Sequence, residues 1–181
     1  DGDCIGSQAG LVHLLRNSFP NKKIYSVGDD IPEYLSFIGL SDIVSDDIYK
    51  EALVIVVDTS VDKRIYDNRY LNAKFLIKID HHDDSFPFRE ENYLEFIDPK
   101  SAACSAIISR FYLENKDVLK MNKEAATALY TGIVTDTGRF LYRGVDSTLM
   151  HATADLLDFD VDIEYIYSKL NLKGINTYRL E

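Results

Sequence analysis

Apolar residues recur along this chain in two rhythms, helical stripes and short continuous runs, and their alternation is the first guide to its architecture. Gly6 to Asn17 sets Ala9, Val12 and Leu15 beside Leu11 and Leu14 at helical spacing, and the stripe stops at Asn17, Ser18 and Pro20. Lys23 to Val27 predicts a short strand, and Ile31 to Ile38 a short helix. Leu53 to Val57 is apolar at every position, as suits a strand covered on both faces inside a parallel sheet. Phe75 to Ile79 repeats that pattern, broken only by Lys78, and a loop containing Pro87 leads to an edge strand from Tyr93 to Ile97. The rhythm then turns helical. Ala102 to Glu114 places Ala103, Ile107, Phe111 and Leu113 near one face. Lys123 to Val134, behind an Asn122 cap, is so rich in Ala, Leu and Ile that it predicts a largely buried helix. Asp146 or Ser147 caps a helix through Leu157, and Ile163 to Leu170 forms another. Strands and helices in this order predict an α/β domain, a mainly parallel sheet flanked by helices with a helical C-terminal part. Residues 1–170 make up that single domain, while 171–181, polar and interrupted by Gly174, read as the start of a linker.

Composition narrows the function classes. A chain of 181 residues suits one sizeable core, and 46% hydrophobic with 28% charged residues excludes disorder and fibrous repeats. No apolar run approaches the roughly 20 residues of a membrane span; the longest, Ala52 to Val57, is cut by Asp58. Membrane insertion is therefore not expected. Thirty acidic against twenty basic residues, a net charge of -10, argue against broad adhesion to duplex DNA or anionic lipid. An acidic protein that handles phosphates needs metal ions or a local basic patch. Cys4 and Cys104 are too few for a disulfide scaffold and fit buried thiols in a reducing cytoplasm, with one bridge between them the alternative. The opening at Asp1, without an initiator Met or a leader, reads as an excerpt of a longer protein.

The placement of acids and histidines carries the chemistry. Val57 is followed by Asp58, and Ile79 by Asp80, His81 and His82, so both buried strands deliver ionisable groups at their carboxyl ends, where open parallel sheets bind ligands. Asp1 and Asp3 sit just before the first helix, and Asp136 ends the very apolar helix before Thr137 and Gly138. Singly, most have plain alternatives: a turn and N-cap for Asp1 and Asp3, a cap to a following turn for Asp58, an ordinary helix end for Asp136. Adjacent Asp80, His81 and His82 after a buried strand are harder to assign to packing. Together, five carboxylates and two imidazoles at one edge would repel and desolvate one another unless cations neutralise them. An oxygen-rich set with His and no thiolate suits Mn²⁺ or Mg²⁺, with Fe²⁺ or Co²⁺ as further fits. Asp58, between the other candidates, could bridge two ions. Two ions about 3.5–4 Å apart can activate a shared hydroxide and stabilise an in-line phosphoryl displacement. The chemistry indicated is phosphoester or phosphoanhydride hydrolysis.

The order Asp1-Gly-Asp3, then Asp58 after a strand, then Asp80-His81-His82, then Thr135-Asp136 with Gly138 and Phe140 resembles the DHH phosphoesterase family. Asp1-Gly-Asp-Cys-Ile-Gly-Ser7 and Thr131-Gly-Ile-Val-Thr-Asp-Thr-Gly-Arg-Phe140 are similar especially to its bacterial oligoribonuclease and 3′-phosphoadenosine-5′-phosphate (pAp) phosphatase branch, the nanoRNases. The resemblance implies an N-terminal catalytic domain joined by a linker to a smaller C-terminal domain with a glycine-rich, histidine-containing motif that this sequence lacks. It implies a preceding strand and a His four residues before Asp1, both outside this chain. It makes Asp1 a ligand of a first metal, Asp3 of a second and Asp58 the bridge, with His81 and Asp136 completing the second site. His82 would face the scissile phosphate as general acid or as a cation on its oxygens, and Asp80 would orient a neighbouring imidazole. Ser105 falls where relatives have a serine-rich helix start and would hold a phosphate there, with plain helix packing the alternative. Arg139 would meet a substrate phosphate, or else be a solvated arginine after a helix. The implied cofactor is a pair of Mn²⁺ ions, Mg²⁺ or Co²⁺ being alternatives. The implied substrates are short RNA or DNA oligonucleotides and pAp, in the cytoplasm, with a homodimer in view. Inorganic pyrophosphatase or exopolyphosphatase, cyclic-dinucleotide phosphodiesterase and RecJ-like exonuclease activities share this ligand pattern. A silent nucleotide-binding sensor would keep the fold with less need of so many costly buried charges.

Overall fold

The structure is a computed structural model that describes residues 1–28, 31–84, 86–142 and 144–177. Its centre is a three-stranded parallel sheet, β1 (Leu53–Val57), β2 (Phe75–Asp80) and β3 (Tyr93–Ile97), in that spatial order. Leu53 pairs with Phe75 and Val57 with Ile79, while Leu76 pairs with Tyr93 and Asp80 with Ile97. This in-step register brings the carboxyl ends of β1 and β2 to one level, so the residues that follow them must meet.

Among the described residues six helices accompany the sheet: α1 (Gly2–Ser18), α2 (Asp46–Glu51), α3 (Cys104–Glu114), α4 (Lys123–Asp136), α5 (Ser147–Leu157) and α6 (Ile163–Thr177). Short 3₁₀ turns at Glu33–Leu35, Asp62–Arg64 and Asn68–Asn72 complete the pattern. The core joins Leu11 and Leu14 of α1, Ile108 and Tyr112 of α3 and Leu129 and Ile133 of α4, with Ile55, Val57 and Ile79 of the sheet packed into it. Side chains alternate across a strand, so the opposite face of β2 carries Leu76, Lys78 and Asp80, all fully buried.

α1 and α4 lie against each other almost without side chains between them. A Cβ added to Gly6 would stand 2.7 Å from the Ala128 carbonyl oxygen and 2.8 Å from the Gly132 backbone. That approach lays the first turn of α1 beside the last turn of α4 and delivers Asp3 next to Asp136.

Several elements depart from the sequence expectation for identifiable reasons. α1 begins four residues before Gly6, because Asp1 acts as its N-cap through a 2.9 Å bond from Cys4 N–H to Oδ1. Residues 23–27 join no strand among the described residues. Their backbone groups are taken by side chains instead: Arg16 donates to the Ile24 carbonyl, Gln8 to that of Val27, and Ser26 N–H donates to Asp42. The helix expected over 31–38 is only the Glu33–Leu35 turn, and α2 was not signalled by a long periodic stripe. α6 continues past Leu170 to Thr177, as propagation of a formed helix costs little even through polar sequence; residues 178–181 of the expected linker lie outside the described residues. Cys4 and Cys104 are free thiols, and no helix among the described residues is long and apolar enough to cross a membrane.

Candidate metal centre

The site forms where three loops leave the ends of β1, β2 and α4 and meet the first turn of α1. Asp58 follows β1 in a left-handed backbone conformation, φ +54°, its N–H donating to the Ile79 carbonyl at 2.9 Å. Asp tolerates that region better than most residues, and the turn aims its carboxylate back across the sheet edge. His81 follows β2. Its Nδ1 lies 3.2 Å from the Ser101 carbonyl oxygen, a pairing that requires the proton on Nδ1 and leaves the Nε2 lone pair facing the site. That nitrogen is 3.3 Å from Asp58 Oδ1, 3.5 Å from Asp136 Oδ2 and 3.9 Å from Asp3 Oδ2. Asp3 is itself buried and held from behind, its two oxygens accepting the N–H groups of Cys104 at 2.6 Å and Ser105 at 3.0 Å. The N-terminus of α3 thus fixes a protein carboxylate.

Three carboxylates around one imidazole nitrogen are mutually repulsive. Asp58 Oδ1 is buried and without a hydrogen-bond partner. Burial pushes the Asp58 carboxyl up to about 6, with the charge of Asp3 adding to it and His81 opposing. Burial and the Asp3 charge raise Asp136. For His81 burial works downward, but the Asp58 contact and the charges of Asp3, Asp58 and Asp136 outweigh it and lift the imidazole to about 9. The cluster therefore captures a proton when nothing else neutralises it. One ligand atom from each of Asp3, His81 and Asp136 lies within 4.8 Å of the others, and the same holds for Asp58, His81 and His82. A buried carboxylate oxygen whose nearest group is His81 Nε2, in an oxygen-rich set that otherwise takes up a proton, fits a hard divalent cation in that proton's place.

A sequence profile described as the DHH family, N-terminal domain, matches residues 1–133. The chain belongs to the DHH family. It is 45% identical over 164 residues to the probable bifunctional oligoribonuclease and PAP phosphatase NrnA of Streptococcus mutans, which covers 90% of this chain and 50% of that protein. It is 36% identical over 181 residues to the bifunctional oligoribonuclease and PAP phosphatase NrnA of Bacillus subtilis, covering 99% and 56%. The crystal structure of an exopolyphosphatase-related protein from Bacteroides fragilis superposes with a TM-score of 0.77 at 29% identity, over 93% of this chain and 52% of that one. The chain spans about half the length of the curated relatives it matches.

Of the candidates read from the DHH motifs, the structure draws together Asp3, Asp58, His81, His82 and Asp136. Asp80 stands directly behind, wholly buried, its Oδ1 2.6 Å from His82 Nδ1 and accepting His81 N–H at 2.9 Å. Asp1 and Arg139 are on the rim. They line with Asp3, Asp136, Tyr34 and Tyr142 a depression of about 440 Å³. Asp1 Oδ1 is engaged as the α1 cap, and Asp1 is outside both convergent groups. Arg139 follows Gly138 in a run of left-handed residues, φ +55° and +63°, donates to Asn171 Oδ1 at 2.6 Å and lies over the Tyr167 ring. Ser105 is fully buried behind Asp3, its hydroxyl without a partner and its N–H on Asp3. Sequence reading missed the Ser101 carbonyl and the Cys104 amide, which a backbone role hides, and it passed over Lys78 as a blemish in a strand.

Proposed function

We propose that the chain is the catalytic part of a metal-dependent phosphoesterase that hydrolyses short oligonucleotides to mononucleotides and pAp to AMP. The observation that supports this reading best is the buried Asp58 Oδ1 opposite His81 Nε2 at 3.3 Å, with Asp3 and Asp136 beside it. Such a site is unfavourable for a protein that only binds a nucleotide and suits one that holds cations for chemistry. The names of the two bacterial relatives supply the substrate class.

In this reading Asp3, His81 and Asp136 would hold one divalent ion, with Asp58 beside them and Asp1 toward a second. Mn²⁺ is the proposed ion, with Mg²⁺ or Co²⁺ as substitutes. Ions held there would make water a nucleophile near neutral pH and stabilise charge on phosphate oxygens. The protein's own work is positional. Ser101 holds the His81 ring, the α3 amides hold Asp3, and Asp80 fixes His82 with its outer nitrogen available to a substrate phosphate or leaving group. Arg139 on the rim would meet a further phosphate, and the Ser105 amide acts through Asp3. A cytoplasmic location is proposed with this reading, in keeping with the free thiols Cys4 and Cys104, and a homodimer is the assembly proposed.

The test is release of phosphate and mononucleotide from pAp and a 5′-labelled dinucleotide by the natural full-length polypeptide, with Mn²⁺ or with EDTA. Mn²⁺-dependent release from both is expected. Hydrolysis of pyrophosphate alone would move the assignment to that branch, and tight nucleotide binding without turnover would make it a sensor.

A further inference from the structure

Lys78 occupies the middle of β2, in a run otherwise composed of Phe75, Leu76, Ile77 and Ile79, and its side chain is completely buried. Burying an ammonium costs several kcal/mol unless its protons and charge are matched, and a Met or Leu would fill the same space without that cost. Its contacts are specific. Nζ donates to the Ser60 carbonyl at 2.9 Å and to the Phe86 carbonyl at 2.9 Å, stands 3.9 Å from Asp80 Oδ2, and sits 4.1 Å from the centre of the Phe88 ring.

Each partner belongs to a segment that carries the site. Ser60 is two residues past Asp58 and ends the turn that leaves β1. Phe86 is four residues past His82, in the loop that leaves β2. Asp80 is the residue that accepts both His81 N–H and His82 Nδ1. An ammonium has three protons, and here two go to loop carbonyls, that of Ser60 also accepting the Phe86 N–H at 3.2 Å, while the Asp80 carboxylate faces the third side at 3.9 Å. Side-chain alternation places Lys78 and Asp80 on one face of β2, so the strand itself sets the Lys78, Asp80, His82 series in line.

We propose that Lys78 is a positioning residue of the phosphoesterase, tying the Asp58 turn, the His82 loop and Asp80 to one cation so that the metal-side carboxylate and the phosphate-side imidazole keep their separation. The inference rests on the phosphoesterase reading for its kinetic consequence and on the geometry alone for its structural one. Lys78 touches neither reacting atoms nor metal ligands, so its loss acts through alignment of others.

The experiment compares the natural full-length polypeptide with Lys78→Met, which keeps length and volume without charge, with Asp80→Asn, and with the double variant. On pAp with saturating Mn²⁺, Lys78→Met is expected to lower kcat by about 10–100-fold, the range typical of residues that orient active-site groups, while KM changes less than about twofold. The double variant should be no worse than the poorer single one, because both act on one series. In metal-free protein, the Nδ1 proton resonance of His82, protected from exchange with water by its 2.6 Å bond to Asp80, should broaden or vanish in Lys78→Met while that of His81 against Ser101 persists. If Lys78→Met does not fold, Lys78→Gln retains an amide donor for a loop carbonyl and should show the same kcat loss and resonance change. Wild-type kcat with an unchanged His82 resonance in a folded variant, or additive losses in the double variant, would overturn the proposal. Inactivity of the unaltered protein on pAp and the dinucleotide would remove the phosphoesterase reading instead, and the resonance comparison would still decide whether Lys78 aligns His82.

Discussion

Asp58 combines two costs in one residue, a left-handed backbone and a buried carboxylate with an unpartnered oxygen. Each is on the order of 1–3 kcal/mol, and together they mark a position kept for chemistry. Asp58→Asn keeps the shape and the tolerance of positive φ while removing the charge. It should abolish Mn²⁺-dependent turnover by at least about 100-fold, yet in EDTA unfold at the same or a higher temperature, since the repulsion from Asp3 is gone. Calorimetry beside the activity assay checks both halves. The pH dependence follows from the same cluster. His81 titrates at 6.5 when unfolded and at about 9 when folded, so its stabilising contribution is complete below 6.5 and lost as pH rises through 9. Asp58, raised from 3.8 to about 6, disfavours the folded state increasingly as pH passes from 4 to 6. Metal-free protein should therefore lose on the order of 2 kcal/mol between pH 6 and 9, whereas added Mn²⁺, which replaces the captured proton, should reverse the slope. Urea melts at several pH values with and without Mn²⁺ measure this, and a flat profile in EDTA would refute the shared-proton account. That Asp3, Asp58, His81 and Asp136 meet was readable from their joint order along the chain, since singly most of them have ordinary uses as caps or helix ends. Lys78 was not, because a single lysine in a strand reads equally well as an edge residue whose ammonium reaches water.

Among the elements, the α1 and α4 pair does most to set the metal-side geometry, and its determinants are glycines. In isolation Gly2, Gly6 and Gly10 weaken a helix by about 1 kcal/mol each relative to Ala, which is why the sequence suggested a turn where α1 actually starts. Gly6→Ala should recover that propensity and still be a net loss. The new Cβ would meet the Ala128 carbonyl and Gly132 backbone at 2.7–2.8 Å, and backbone cannot swing aside as a side chain can. Overpacking of this kind costs typically 1–3 kcal/mol, so net destabilisation of about 1 kcal/mol is expected. Separating the helices also draws Asp3 away from Asp136, and weaker Mn²⁺ binding by titration calorimetry should accompany the lower urea midpoint. Lost stability with unchanged metal affinity would show that the crossing supports the fold but does not gauge the site. The parallel strands were readable from continuous Leu, Ile and Val runs. Residues 23–27 were not correctly readable, since strand propensity cannot reveal that Arg16, Gln8 and Asp42 take up the backbone groups a neighbouring strand would use.

At the scale of the whole molecule, the sheet is unevenly covered. β2 is enclosed, but β1 has no strand on its far side among the described residues; Leu53 is 54% exposed and Val54, Ile55 and Val56 are only half-buried. Five consecutive apolar residues at an open sheet edge are an aggregation liability that folded proteins cover or blunt. Beside that edge runs a groove of about 1040 Å³, lined by Ile5, Leu11 and Leu15 of α1, by β1 and by Ile24, Tyr25 and Val27. Its lining is mostly apolar, and it follows β1 from Leu53 to Val57 with Cys4 and Ile5 of the first turns of α1 at its side. A parallel strand entering α1 through Asp1 would fill it and cover the open edge of β1, in line with the preceding strand that the DHH resemblance implies. We predict that in the natural full-length polypeptide the β1 amides directed away from β2 exchange their hydrogens slowly, with opening free energies near the global value. In residues 1–181 alone the same amides should exchange quickly, and an apolar dye should bind the groove. Equal protection in both would mean that another part of residues 1–181 closes the edge, and fast exchange in both would mean that the groove stays open as a binding surface.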